Sequence, residues 1–111
     1  MDIFDIFIAY VTWDGVSGGI GKGKKRPVLI LEQTTDAVIV FKITTQYEAK
    51  SNTVRSKYFM INDWRQAGLN KESYIDTNRT VTLPLSAVDI NHPVGTLTEA
   101  DIQKFIDFLS M

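Results

Sequence analysis

The sequence predicts a mainly β fold: a small, strongly bent sheet or partial barrel closed by one C-terminal α-helix. Three observations carry that expectation. Short runs rich in Val, Ile, Thr, Phe and Tyr recur along the chain between turn-forming residues. Little helical periodicity interrupts them. The stretch after Thr98 then carries apolar residues at helical spacing, as a single capping helix would.

Taken in order, Ile3 to Trp13 reads as the first strand. It is apolar on both faces, with Ile6, Ile8 and Tyr10 on one and Phe7, Ala9 and Val11 on the other. That pattern suits a strand inside a curled sheet or at a subunit interface. Asp14 to Lys25 reads as a pliable loop holding five of the seven glycines. Val28 to Glu32 is a second strand, Thr34-Thr35-Asp36 a turn, and Ala37 to Thr45 the hairpin partner. Gln46 to Arg55 is polar and reads as an exposed excursion, with Ser51-Asn52 as its turn. Lys57 to Ile61 follows as a short strand.

Asn62 or Asp63 is expected to cap a short helix through Ala67, stopped by Gly68. Tyr74 to Thr77 and Thr80 to Leu83 read as short strands parted by Asn78-Arg79. Pro84 keeps the second brief or at an edge. Val94 to Leu97 is a last possible strand. Thr98 and Asp101 have the spacing of a helix N-cap and its N3 acid. Ile102, Phe105, Ile106 and Leu109 then form one apolar face.

A length of 111 residues fits a single domain, residues 1–111. No run approaches the ~18 apolar residues of a membrane span, and the N-terminus lacks a signal-peptide pattern. The expectation is therefore a cytoplasmic protein without membrane contact, and the Asn78-Arg79-Thr80 sequon is read as coincidence. The absence of cysteine excludes disulfides, thiol nucleophiles and Cys-based zinc sites. The formal charge of −1 conceals an asymmetry. From Lys22 to Lys57 eight basic residues face three acids, a local +5, while the rest of the chain stands at −6. Such a segment is either an anion-binding face or a solvated run of lysines.

The chemistry narrows by exclusion. Gly18, Gly23 and Lys24 satisfy the spacing of a phosphate-binding P-loop. Lys25, however, stands where Mg²⁺ needs Ser or Thr, and a proline and a strand follow where a helix must begin. His92 is the only histidine, and beside Asn91 and Pro93 it reads as a surface loop residue. The carboxylates are scattered singly, so neither a metal nor another cofactor is expected. An arginine-centred site remains. Pro27 fixes its own φ at about −65° and extends Arg26, mounting a guanidinium at the mouth of a strand. That group either binds and stabilises phosphate charge or makes an ion pair at the barrel rim with Glu32 or Asp76.

Lys24-Lys25-Arg26-Pro27-Val28-Leu29-Ile30-Leu31 and then Ile43-Thr44-Thr45-Gln46 resemble blocks of the MazF/PemK (Kid, CcdB-like) toxins of type II toxin–antitoxin systems. Arg79-Thr80-Val81 and Val94-Gly95-Thr96-Leu97-Thr98-Glu99-Ala100-Asp101-Ile102 extend the resemblance over nearly the whole chain in the same order. It implies an SH3-like small β-barrel, a homodimer, and metal-independent cleavage of single-stranded RNA at short motifs. It also implies a cognate antitoxin whose disordered, acidic tail folds over the active groove.

Carried over residue by residue, Arg26 falls on the catalytic arginine, Thr44 on the active-site Thr/Ser, and Asp76 on an aspartate that some members use as a base. Tyr74 stands where those members have a basic residue. Ile20 and Lys22 occupy positions where some have a histidine or glutamate. The resemblance thus gives Arg26, Thr44 and Asp76 as catalytic residues, with Lys22, Lys24, Lys25, Gln46, Tyr47 and Tyr74 as RNA contacts. The lysines would track the backbone, and Tyr47 or Tyr74 would stack on a splayed base or simply pack. The alternative is a non-catalytic SH3-like module that binds nucleic acid or peptide. A topoisomerase-directed toxin of the same fold ranks last, because Phe108-Leu109-Ser110-Met111 carries no motif for it.

Overall fold

A computed structural model describes residues 1–12, 23–47 and 51–111. The expected glycine loop at 18–21 and Lys22 lie outside the described residues. The elements in chain order are β1 (Asp5–Thr12), β2 (Gly23–Gln33), β3 (Ala37–Thr44), α1 (Asn52–Arg55), β4 (Tyr58–Met60), β5 (Tyr74–Pro84), a 3₁₀ turn (Leu85–Ala87), β6 (Gly95–Thr96) and α2 (Glu99–Leu109). The strands form one antiparallel sheet in the order β4-β5-β3-β2-β1-β6, curled into a half-barrel.

Strand alternation supplies two cores, one on each face of the curl. Ile6, Leu29, Phe41, Ile43, Phe59 and Ile75 point towards α2 and surround the fully buried Phe105. The Phe105 ring meets Phe4, Phe41 and Phe59 edge-on, with centroids 6.3, 6.2 and 5.1 Å away. Phe7, Ala9, Val11, Val28, Ile30, Val38, Val40, Val81 and Leu83 point the other way and enclose a second core with Val88. The curl thus accounts for the two apolar faces of β1.

Several elements depart from the sequence expectation. β2 begins at Gly23, so Lys24 and Lys25 are strand residues paired with Val11 and Tyr10 rather than part of a loop. The long β1 supplies a ladder on which even lysines extend. The polar excursion contains one helical turn, α1, where Ser51 is its N-cap and accepts from the Val54 N–H at 3.3 Å. The segment expected to be a helix after Asn62 is a series of turns stopped by Gly68 at φ +95°. β5 is continuous, yet two steps along β3 from Val40 to Lys42 face five along β5 from Val81 to Asp76. The Asn78-Arg79 break therefore survives as a bulge. Pro84 is tolerated because β4 pairs only with Tyr74, Ile75 and Asp76, leaving the end of β5 as an edge.

α2 starts as its cap predicts, with Thr98 Oγ1 accepting from the Asp101 N–H at 3.3 Å. Its buried stripe is shifted, however: Phe105 is enclosed while Ile106 and Leu109 stay 43% and 48% exposed. Asp101 explains the rotation. Its carboxylate, 0% exposed, accepts from the backbone N–H groups of Asn62 at 3.3 Å and Asp63 at 2.8 Å. The helix is thereby clamped to the turns, whose two donors would otherwise be buried without an acceptor. Asp101→Ala should lower unfolding free energy by about 2–4 kcal/mol, read from denaturant midpoints. A loss below about 0.5 kcal/mol would show that the clamp is dispensable.

Candidate active site

The second face of the sheet changes chemistry along its length. Val28 and Val40 are enclosed, but at the same parity further on stand Arg26 in β2, Lys42 and Thr44 in β3, and Asp76 in β5. Lys42 is directly opposite both Val28 and Asp76, and Thr44 is opposite Tyr74. Alternation that builds the core thus places ionic groups on the same face once the core ends.

Pro27 opens this end into a cleft. The Ile8 carbonyl accepts from Asp89 N–H at 2.9 Å on the side of β1 away from β2. Ile8 and its partner Pro27 are therefore a non-hydrogen-bonded pair, and the backbone of Pro27 faces β3. Proline has no N–H to donate there, and the β2–β3 ladder ends at Val28–Lys42. β2 continues along β1 while β3 parts from it. Between them lies a cleft of about 440 Å³, lined by Lys24 to Pro27 on one wall and Lys42 to Gln46 on the other, with Tyr58, Ser73 and Asp76 across its base.

Arg26 is half-buried in this cleft, and its Nε is fully enclosed with no hydrogen-bond acceptor among the described residues. Glu32, the suggested partner at the rim, is exposed opposite Ile39, about 20 Å further along the strand. Thr44 Oγ1 accepts from the Gln46 N–H at 3.0 Å, which fixes the hydroxyl and leaves its hydrogen to donate. Asp76 Oδ1 accepts from Asn78 N–H at 2.9 Å and Asn78 Nδ2 at 2.8 Å. Tyr47 and Tyr74 stack on each other, with centroids 4.5 Å apart and planes at 20°, and Arg55 lies 5.3 Å over the Tyr47 ring. Arg26, Thr44, Asp76, Lys24, Lys25 and Gln46 are thus brought together, while Tyr47 and Tyr74 form an aromatic step beside them.

Three lining residues escaped the sequence reading: Lys42, Ser73 and Tyr58. Lys42 was legible as the polar residue following Val38 and Val40 on one face. Tyr58 was not, because its role depends on lying opposite Asp76 in the β4–β5 register. Burial raises its pKa above the ordinary 10.0, and the neighbouring Asp76 carboxylate raises it further, against an opposing pull from Arg26. His92 is exposed, with Nδ1 3.1 Å from Asp89 Oδ1, as expected of a loop residue. No three His, Asp or Glu side chains converge among the described residues.

A half-barrel with a terminal helix and a cationic cleft at its open end defines a small β-barrel protein with an anion-compatible site. The sequence matches the PemK-like, MazF-like toxins of type II toxin–antitoxin systems over residues 4–108, and the chain belongs to that family. Among solved structures the fold is similar to the Mycobacterium tuberculosis toxin MazF-mt6. The TM-score is 0.63 at 21% identity, covering 94% of this chain and 92% of that one. A search of curated proteins finds no match. Membership implies an antitoxin partner, and no helix among the described residues is long and apolar enough to cross a membrane.

The raised Tyr58 pKa has a measurable consequence for stability. The folded state holds the phenolic proton more tightly than the unfolded chain, so this stabilisation is complete below a pH of about 10. It is lost as pH rises through the higher folded value. Denaturant midpoints should fall above that pH, and fall less in Tyr58→Phe; identical profiles for the two proteins would contradict the assignment.

Proposed function

We propose that the protein is a toxin endoribonuclease that cuts single-stranded RNA at short motifs, without a metal, through attack of the RNA's own 2′-OH. The observation that carries this reading is Arg26. A buried guanidinium N–H with no acceptor is costly unless a ligand supplies one, and phosphate oxygens match its geometry. Arg26 stabilises the charge growing on the phosphorane oxygens, and Thr44 donates to the same phosphate. Asp76 accepts the 2′-OH proton. Lys24, Lys25 and Lys42 draw the backbone into the cleft, and Gln46 with the Tyr47–Tyr74 step borders the path of a splayed base. Lys22 belongs to the same basic segment. Homodimeric assembly, a cytoplasmic setting and silencing by an acidic antitoxin segment over this basic face complete the proposal.

Pure protein with a long unstructured RNA in excess EDTA should give discrete fragments with cyclic phosphate ends. Intact RNA with folded protein would favour the binding-module alternative. Arg26→Ala should slow cleavage by about 10²–10³-fold without lowering the melting temperature; retained cleavage removes Arg26 from the chemistry. Replacing Lys24 and Lys25 by Ala should flatten the slope of log affinity against log salt by about 0.7 for each phosphate that is no longer neutralised. An unchanged slope would place both lysines outside the RNA path.

A further inference from the structure

We propose that Tyr58 is the general acid of this site, coupled to Asp76 as one proton relay; this rests on the ribonuclease reading above. Cleavage through the 2′-OH needs a proton for the departing 5′-oxygen as well as a base for the attacking one. Two cleft groups meet directly on the cross-strand pair Tyr58–Asp76, between β4 and β5. Tyr58 and Asp76 face each other across this pair and line the same cleft as Arg26, whose charge also acts on the phenol, so base, acid and charge stabiliser share one spot. The Tyr58 side chain is almost wholly buried yet lines the cleft, so it is held in place and within reach of a ligand there. Lysines supply protons too, but Lys24 and Lys25 are exposed on the other wall of the split, and Lys42, opposite Asp76 in β3, is the cation most directly set against that carboxylate.

The step balances without another reactant. The 2′-oxygen bonds to phosphorus as its proton passes to Asp76. The phosphorus–5′-oxygen bond breaks, and the leaving oxygen takes the Tyr58 proton. Asp76, now protonated, returns its proton to the oxygen of Tyr58, which faces it across the strands. The products are a 2′,3′-cyclic phosphate and a 5′-hydroxyl, with both side chains restored. Burial, Asp76 and Arg26 shift the phenol; the Tyr47 ring lies 6.2 Å from it, and Lys42 stands on the far side of Asp76 in β3.

The test uses a leaving group that needs no proton. An RNA spanning the site cut by the wild-type protein is prepared with oxygen, and again with sulfur, at the bridging 5′ position. Tyr58→Phe should cut the oxygen substrate about 10²-fold more slowly than wild type, yet cut the sulfur substrate within about threefold of it. Asp76→Asn should fail on both. Should Tyr58→Phe not fold, 3,5-difluorotyrosine at position 58 replaces it; its lower phenol pKa should move the alkaline limb of the rate to lower pH on the oxygen substrate alone. Near-wild-type rates for Tyr58→Phe on oxygen, equal deficits on both substrates, or an unmoved limb would overturn the proposal while leaving the nuclease reading intact. A wild-type protein inert on both RNAs would overturn the two together.

Discussion

One missing N–H decides where this molecule has a site. β2 is paired to β1 from Gly23 to Leu29, but to β3 only from Val28 onward. Pro27 sits where a donor towards β3 is required, and it has none. Extending the register by two residues would set Arg26 against Thr44 and close the sheet over both. Because the ladder stops instead, the strands part, and the side chains at that end line a cleft rather than a seam. The guanidinium is left half-buried, with its Nε facing no acceptor among the described residues. A proline placed one residue later would put its missing donor on the β1 side and leave this split unexplained.

The rest of the fold holds that opening in place. Asp101 ties α2 to the turns after Asn62, and Phe105 fills the space beneath Phe41 and Phe59, two residues that flank the cleft strands. Phe4 takes a left-handed φ of 72° and so brings its ring onto Phe105. For a bulky residue that conformation costs about 1–2 kcal/mol, which the aromatic contact and three backbone-directed hydrogen bonds at 2.8–3.2 Å offset. The turns also need close approach: a Cβ on Gly95 would collide with the Ala67 carbonyl, so β6 can pass beneath them only as glycine. Rigidity on the α2 face is what permits an open, charged end on the other.

What the sequence made legible follows from the range of the interactions concerned. The β2–β3 hairpin, the Thr98 cap and the extended Arg26-Pro27 joint depend on neighbours within a few residues, and they stand in the structure as read. The SH3-like half-barrel and the toxin family were legible through motif resemblance. Tyr58 lay out of reach because its meaning is a register between strands, and the extra residues that bulge from β5 shift every count across it. The helix expected after Asn62 failed for a related reason. Its first N–H groups are taken by Asp101, 39 and 38 residues away, and no local signal announces so distant a partner. Lys24 and Lys25 were misplaced in a loop because their glycine-rich prelude outweighed the ladder that β1 offers.

The charge pattern ties these threads together. A protein of net charge −1 has little long-range attraction for a polyanion, so the proposed RNA binding depends on local arrangement. The split in the sheet supplies it by gathering Lys24, Lys25, Arg26 and Lys42 around a cleft whose carboxylate, among the described residues, is Asp76. A carboxylate in such company works against anion binding, since it repels what the lysines attract. Its hydrogen bonds from the backbone and side-chain N–H groups of Asn78 hold it there nonetheless. A surface shaped only to bind would do better with an amide at position 76. The charge at position 76, opposite a buried phenol, fits the proposed proton transfers better than it fits a surface that only binds.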